Sequence, residues 1–95
     1  MNSSNSGCAH FRVADPVGWR KVDDRVVVAD VFSGRSFILE DVEAFIWQHI
    51  AENQPVAEIV SLICQAYSVD RTTAEADLAE FIAQLVDAEL ITGAE

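Results

Sequence analysis

The feature that most constrains the fold is the stretch Val26–Leu39, in which two short apolar runs flank a break at Phe32-Ser33-Gly34. The first run is mostly valine, and the second, Arg35–Leu39, contains an aromatic residue. β-Branched and aromatic residues bounded by Ser and Gly are typical of two strands joined by a tight turn. Because no later stretch predicts a strand as clearly, we expect the second strand to be a sheet edge with unpaired backbone groups.

A further strand is predicted upstream, at Val17–Val22. Asp23-Asp24 separates it from the valine run at the spacing of a two-residue hairpin loop, although the favoured Gly at the second place is missing. Together the three segments predict a three-stranded antiparallel meander. In its third strand, alternation places Arg35, Phe37 and Leu39 on one face and Ser36 and Ile38 on the other.

Three helices are predicted after the strands. Apolar residues recur at helical spacing after Asp41, a good N-cap, as far as about residue 52. Pro55 suits the first turn of a second helix, which should end near residues 68–70. Thr72 and Glu75 have the spacing of a capping box for a third helix. The fold class is therefore α+β, a three-stranded antiparallel β-meander followed by three helices, the last two forming a helix-turn-helix. The segment Leu90–Thr92 is either a short strand or an extended docking tail.

The third helix carries more apolar surface than one packing contact needs, because its apolar residues spread over roughly 160° of a helical wheel. We expect one side to hold the helix to the core, through Leu78, Ile82 and Val86. The opposite side is expected to be spare apolar surface, made of Ala74, Phe81, Leu85 and Ala88.

The length of 95 residues predicts one domain. We assign residues 1–10 to a flexible N-terminal tail and residues 11–92 to the domain. No apolar run approaches the roughly 18 residues that a membrane span requires, and the first residues lack the basic-then-apolar order of a secretion signal. We therefore expect a cytoplasmic protein without a membrane partner.

The charge is unevenly distributed along a chain whose net charge is −10. From residue 36 onward there is one basic residue, Arg71, against twelve acidic ones. Lys and Arg contacts to phosphate dominate nucleic-acid affinity, so this half of the chain should be repelled from DNA and RNA. The third helix offers only Gln84 as an outward side chain of the kind that reads bases. A basic or an apolar peptide would be tolerated.

Candidate catalytic groups are few. The two cysteines and two histidines have no spacing that zinc or iron would require, and no glycine-rich phosphate loop is present. His49 is best interpreted as a core or boundary histidine, and Cys64 as a small buried hydrophobe. We expect no metal, no cofactor and no catalytic residue, and hence no enzyme.

The predicted open strand edge and the broad apolar helix together suggest a peptide-binding groove. An extended peptide can add to such an edge as another strand and place alternate side chains in the groove. The alternative is that the chain's own N-terminal segment covers the third strand and the helix simply packs inside. The residues alone leave both interpretations open.

From about Trp19 to Ile91 the chain resembles the PqqD-like family, the peptide-binding domains called RiPP recognition elements. It looks most like the stand-alone members found beside lasso-peptide maturation enzymes. One departure is Glu40-Asp41-Val42, where members often have an Asn and a small residue. The resemblance is carried by the order and spacing of Val26–Asp30, Ser33–Leu39, Ala44–Trp47, Val56–Val60, Tyr67–Asp70 and Leu85–Ile91.

The resemblance implies a winged helix-turn-helix-like fold whose third strand and third helix grip the leader segment of a ribosomally made precursor peptide. The domain would present that peptide to a separate maturation enzyme, such as a leader peptidase, a cyclase or a radical enzyme. Two rival functions are a winged-helix transcription regulator and an accessory subunit that binds a folded enzyme without touching peptide. An edge-to-edge homodimer is also left open. The implied peptide-binding residues are Arg35, Ser36, Phe37, Ile38, Leu39, Leu78, Phe81, Ile82 and Leu85.

Overall fold

The computed structural model describes residues 10–94 and confirms the predicted α+β class, with an antiparallel meander followed by three helices. A short strand precedes the meander and another follows the helices. In chain order the elements are β1 (His10–Val13), β2 (Val17–Val22), β3 (Arg25–Asp30), β4 (Ser36–Leu39), α1 (Asp41–Ala51), α2 (Val56–Tyr67), α3 (Arg71–Asp87) and β5 (Ile91–Ala94).

The meander has the strand order β2-β3-β4, and both of its pairings are antiparallel. The first hairpin pairs Val22 with Arg25, which leaves Asp23 and Asp24 as the two-residue loop that the sequence predicted. Asp23 has a positive φ of 57°. Asp tolerates this left-handed conformation better than most residues, because its short side chain can form local hydrogen bonds. The hairpin therefore forms without the favoured glycine.

The turn between β3 and β4 is fixed by the carboxylate of Asp30, which is only 7% exposed. Its Oδ1 accepts hydrogen bonds from the backbone N–H groups of Phe32 at 2.9 Å and Ser33 at 3.3 Å. Gly34 has a φ of 76° and donates its N–H to the Asp30 carbonyl at 2.8 Å. A glycine is favoured there because other residues pay a steric penalty at this φ. The break at Phe32-Ser33-Gly34 is thus a turn held by three hydrogen bonds to Asp30.

A second, two-stranded sheet pairs β1 with β5 in antiparallel order, from His10 with Ala94 to Val13 with Ile91. Of the two alternatives for Leu90–Thr92, the short strand is therefore correct. A strand of four residues is too short to show a clear alternation of apolar and polar residues. These two strands form by pairing between segments that are far apart in the sequence. His10 lies in β1, although the sequence assigned it to the tail; residues 1–9 of that tail lie outside the described residues.

The predicted caps of the first two helices are displaced by one residue. Glu40, not Asp41, is the N-cap of α1, and no side chain makes a capping hydrogen bond there. Asp41 is instead the first helical residue and has a positive φ of 55°. Pro55 is the N-cap of α2 rather than a residue of its first turn. Each helix nevertheless lies within a residue or two of its predicted bounds.

The capping box predicted for the third helix does not form. Asp70 is the N-cap of α3, and its Oδ1 accepts a hydrogen bond from the Thr73 N–H at 3.1 Å. Glu75 instead forms an ion pair with Arg71, at 3.2 Å between Oε2 and Nε. The helix therefore begins before Thr72, because Asp70 is the better placed N-cap side chain.

The core lies between the meander and the helices, and Trp47 of α1 is at its centre with no exposed surface. The ring of Trp47 meets that of Trp19 on β2 edge to face, with centroids 6.3 Å apart and an interplanar angle of 77°. Such edge-to-face pairs add to the apolar burial. Trp47 is therefore fully buried and packs against the sheet.

Candidate functional site

The outer edge of β4 has no partner strand within residues 10–94. Asp30 donates its N–H to the Arg35 carbonyl at 2.9 Å, so these residues form a hydrogen-bonded pair of the antiparallel ladder. Because such pairs alternate along a ladder, the backbone groups of Phe37 and Leu39 point towards β3. Those of Ser36 and Ile38 point outward. The described N-terminal strand pairs with β5 instead and leaves this edge open.

A cleft of about 290 Å³ lies beside this edge, between β4, the C-terminal half of α3 and the first turn of α1. Its surface is mainly apolar, and Glu43 is the one titratable residue among those that line it. The cleft is lined by Phe37, Ile38, Leu39, Glu43, Phe81, Gln84, Leu85, Ala88 and Leu90. The open edge and the cleft thus share one strand, β4.

The orientation of α3 differs in part from the one expected from the sequence. Leu78 lies in the core as predicted, and Ile82 packs against it. Phe81 and Leu85, expected to be spare surface, are only 7% and 3% exposed, whereas Val86, expected in the core, is 45% exposed. Both wheel edges are apolar, so the helical pattern alone does not distinguish the side that packs. The buried residues Phe81 and Leu85 still present part of their surface as the wall of the cleft.

Five of the nine predicted peptide-binding residues line the cleft, namely Phe37, Ile38, Leu39, Phe81 and Leu85. Two more flank it: Ser36 contributes outward backbone groups, and Arg35 precedes β4. The remaining two do not line the cleft. Leu78 is a core residue with 1% exposure, and Ile82 is partly buried against the core.

Four cleft residues were absent from the predicted set: Glu43, Gln84, Ala88 and Leu90. Gln84 and Ala88 lie one helical turn from Phe81 and Leu85, and this spacing is the signal by which they are recognisable. Glu43 comes from α1, whose approach to α3 depends on tertiary packing. Leu90, just after α3, is 1% exposed and forms the floor of the cleft end.

Arg35 lies at one end of the cleft. Its Nη2 donates a hydrogen bond to the carbonyl oxygen of Ala88, at the C-cap of α3, over 3.4 Å. The guanidinium also lies over the ring of Phe37, 5.4 Å from the ring centroid, which is within the range of a cation–π contact. Arg35 therefore connects the start of β4 to the end of α3 on the cleft side.

Other reactive groups lie away from this cleft. His49 packs edge to face against Phe45, and its Nδ1 is 3.6 Å from a carboxylate oxygen of Glu52. Cys64 is a half-buried thiol on α2. No group of three or more His, Cys, Asp or Glu in the described part of the chain is arranged to hold a metal ion. In residues 10–94 no helix has the length and apolar character needed to cross a membrane.

The fold and the cleft define a class of small α+β domains in which an unpaired strand edge lies beside an apolar helix. The chain belongs to the PqqD family, because the family model described as coenzyme PQQ synthesis protein D (PqqD) matches residues 25–91. No curated protein sequence matches the chain.

Two solved structures share the fold. One is TbiB1 in complex with the TbiA(beta) leader peptide, with a TM-score of 0.82, 39% sequence identity, and coverage of 84% of this chain and 93% of that one. The other is lasso peptide synthetase B1 complexed with the leader peptide, with a TM-score of 0.81, 26% identity, and coverage of 87% of this chain and 98% of that one. Both similarities extend over most of the domain.

Proposed function

We propose that this chain binds the leader segment of a ribosomally made precursor peptide by β-strand addition and presents it to a separate maturation enzyme. The observation that supports this function is the outward backbone of Ser36 and Ile38 beside an apolar cleft. An extended guest on β4 would pair with these groups and direct alternate side chains into the cleft. The two solved relatives were both captured with a leader peptide, which supports the same assignment.

The guest needs apolar anchors as well as main-chain hydrogen bonds. Each main-chain hydrogen bond contributes a net of about 1 kcal/mol, and each buried apolar side chain contributes about 2 kcal/mol. The association cost is at least about 4 kcal/mol. Two outward residues on β4 provide four donor and acceptor groups, which alone would only offset this cost. The affinity therefore depends on side chains that contact Phe81 and Leu85.

The arrangement favours binding over catalysis. Glu43 is the one titratable side chain in the cleft, and it has no nucleophile or second acid among the other lining residues. A chain of this kind holds its peptide while another protein carries out the chemistry. We therefore infer that the partner is a maturation enzyme, such as a leader peptidase, that acts on the bound precursor.

An NMR titration tests the proposal, with the TbiA(beta) leader peptide as the probe and ¹⁵N-labelled protein. We expect the amides of Ser36 and Ile38 to shift most and to gain protection from hydrogen exchange, because the added strand would pair with them. The amide of Val27, which lies in the centre of the meander, serves as the control. Saturating peptide that leaves the β4 amides unchanged would reject strand addition at this edge.

The rival functions predict different results, in this titration and in two further measurements. An accessory subunit that never touches peptide would show no shifts with the probe but would still bind its folded enzyme. A homodimer through β4 would use the same backbone groups, so added peptide would convert it to monomers in sedimentation velocity. A DNA-binding regulator would retain duplex DNA in a salt-sensitive manner, which the acidic residues of α3 disfavour.

A further inference from the structure

The peptide cleft continues into a second depression along α3. This extension has a volume of about 190 Å³ and shares Glu43, Phe81 and Gln84 with the first cleft. Its remaining lining residues are Val42, Ile46, Asp77 and Glu80. The combined groove therefore runs from the end of α3 near Arg35 to the middle of the helix near Asp77.

The two ends of this groove differ in charge. Arg35 lies at one end, and the carboxylates of Glu43, Asp77 and Glu80 line the other. None of these three carboxylates takes part in an ion pair in the described part of the chain. The single basic residue after position 35, Arg71, is engaged with Glu75. The acidic end thus lacks an internal counter-charge.

We propose that the groove selects guest peptides that carry a Lys or Arg beyond their apolar anchors, where the basic side chain meets Glu43, Asp77 and Glu80. This inference rests on the proposed peptide-binding function and names the chemistry of the guest. The apolar part of the groove provides most of the binding free energy. Charge complementarity provides the specificity among peptides that carry apolar anchors. An acidic side chain at the same place would be repelled.

The helix geometry sets the position of the basic residue. The lining residues that α3 and its C-cap contribute to the apolar cleft run from Phe81 to Ala88. The midpoint between Asp77 and Glu80 lies about six residues before the centre of this segment. At 1.5 Å per residue this distance is about 9 Å along the helix, which is about three residues of an extended strand. With the reach of the side chain, the basic residue lies about three to five positions from the apolar anchors. In a guest that runs antiparallel to β4, the basic residue is N-terminal to the apolar anchors. In a guest that runs parallel to β4, it is C-terminal to them.

Selection from a display library of random twelve-residue peptides tests this inference. The wild type is compared with the double variant Asp77→Asn/Glu80→Gln, and Glu58→Gln, which removes one exposed carboxylate from α2, serves as the control. All three substituted residues are exposed, so the fold should be preserved. We expect wild-type binders to be enriched in Lys or Arg at one fixed offset from a pair of apolar residues. The enrichment should be lost with the double variant and retained with the control.

Measured affinities give a second readout. Replacing the basic residue of a selected peptide by Gln should weaken binding to the wild type by about two- to fivefold, as expected for an exposed ion pair. The difference should shrink in 0.5 M salt, because salt screens exposed charges. Selected peptides that are not enriched in Lys or Arg would overturn the charge selection but not the peptide-binding function. The same holds if the enrichment persists among peptides selected with the double variant. Failure to recover any binder would overturn the peptide-binding function as well.

Discussion

The guanidinium of Arg35 donates a hydrogen bond to the carbonyl oxygen of Ala88, with 3.4 Å between Nη2 and O. This contact joins residues 53 positions apart, one just before β4 and the other at the C-cap of α3. The C-terminal carbonyls of a helix favour a cationic partner. The open strand and the helix that forms the opposite wall of the cleft are therefore held at a defined separation at this end.

Replacing Arg35 by Ala should affect binding more than folding. The side chain is exposed and its hydrogen bond is long, so we expect the free energy of unfolding to change by less than about 1 kcal/mol. Peptide binding should weaken by about two- to fivefold, because the end of the cleft loses its fixed spacing. Urea unfolding and fluorescence anisotropy with a labelled leader peptide measure the two effects. The variant Arg35→Lys keeps the charge but not the planar guanidinium group. Its affinity for the peptide should therefore lie between those of Arg35→Ala and the wild type.

The side of α3 that packs against the core predicts different results for substitutions at Phe81 and Val86. Phe81→Ala should lower the free energy of unfolding by about 3 to 5 kcal/mol, because Phe81 is almost fully buried. Val86→Ala should change it by about 0.5 kcal/mol or less, because Val86 is largely exposed. Urea unfolding followed by circular dichroism measures both. Similar losses for the two variants would contradict the observed orientation of the helix.

The meander could be predicted from the sequence because its signals are local. The valines of β3, the break at Ser33-Gly34 and the two aspartates after β2 each determine structure within a few residues. The open edge of β4 followed from the same reasoning, since no fourth strand was predicted next to it. These features depend on turn chemistry and side-chain alternation, which single stretches of sequence carry.

The features that were missed depend on contacts between distant segments. The β1–β5 ribbon joins the two ends of the described chain, and neither strand has enough residues to show a period. Both sides of α3 are apolar, so the side that packs is decided by its contacts with α2 and β5. Glu43 lines the cleft because the first turn of α1 borders the same depression as α3. Tertiary packing decides each of these points, and the local pattern does not.

The N-terminus of α3 should depend on pH through Asp70. Hydrogen bonds from Thr73, first from its side chain and then from its backbone N–H, lower the pKa of Asp70 below the usual 3.8. Since the folded pKa lies below the unfolded one, the stabilisation is complete above about pH 4 and is lost as the pH falls through the folded pKa. Unfolding measured from pH 7 down to pH 2 should show this loss.

The variant Asp70→Asn is the control for this pH dependence. Its amide oxygen still accepts the Thr73 N–H, but it carries no titrating charge. The difference in stability between wild type and variant should therefore shrink as the pH falls below about 4. A difference that stays constant down to pH 2 would show that ionised Asp70 is not the source of the effect.

Proline substitutions in β4 distinguish its two hydrogen-bonding edges. Ile38 directs its N–H outward, so Ile38→Pro removes a donor that only a guest strand would use, and proline is tolerated at such edge positions. Phe37 directs its N–H towards β3, so Phe37→Pro breaks the ladder inside the meander. We expect Ile38→Pro to keep most of the stability and to weaken leader-peptide binding at least about tenfold. Phe37→Pro should unfold at much lower urea concentration.

The two variants differ by one position in the same strand, so a general effect of proline on β4 would affect both alike. The Ile38 side chain is 62% exposed, and the loss of its own packing is therefore small. Ile38→Ala, which keeps the N–H, separates the side chain from the backbone donor: if strand addition governs binding, it should bind peptide much better than Ile38→Pro. Full-strength binding by a folded Ile38→Pro variant would place the peptide elsewhere on the protein, because no added strand could replace the missing N–H at the centre of β4.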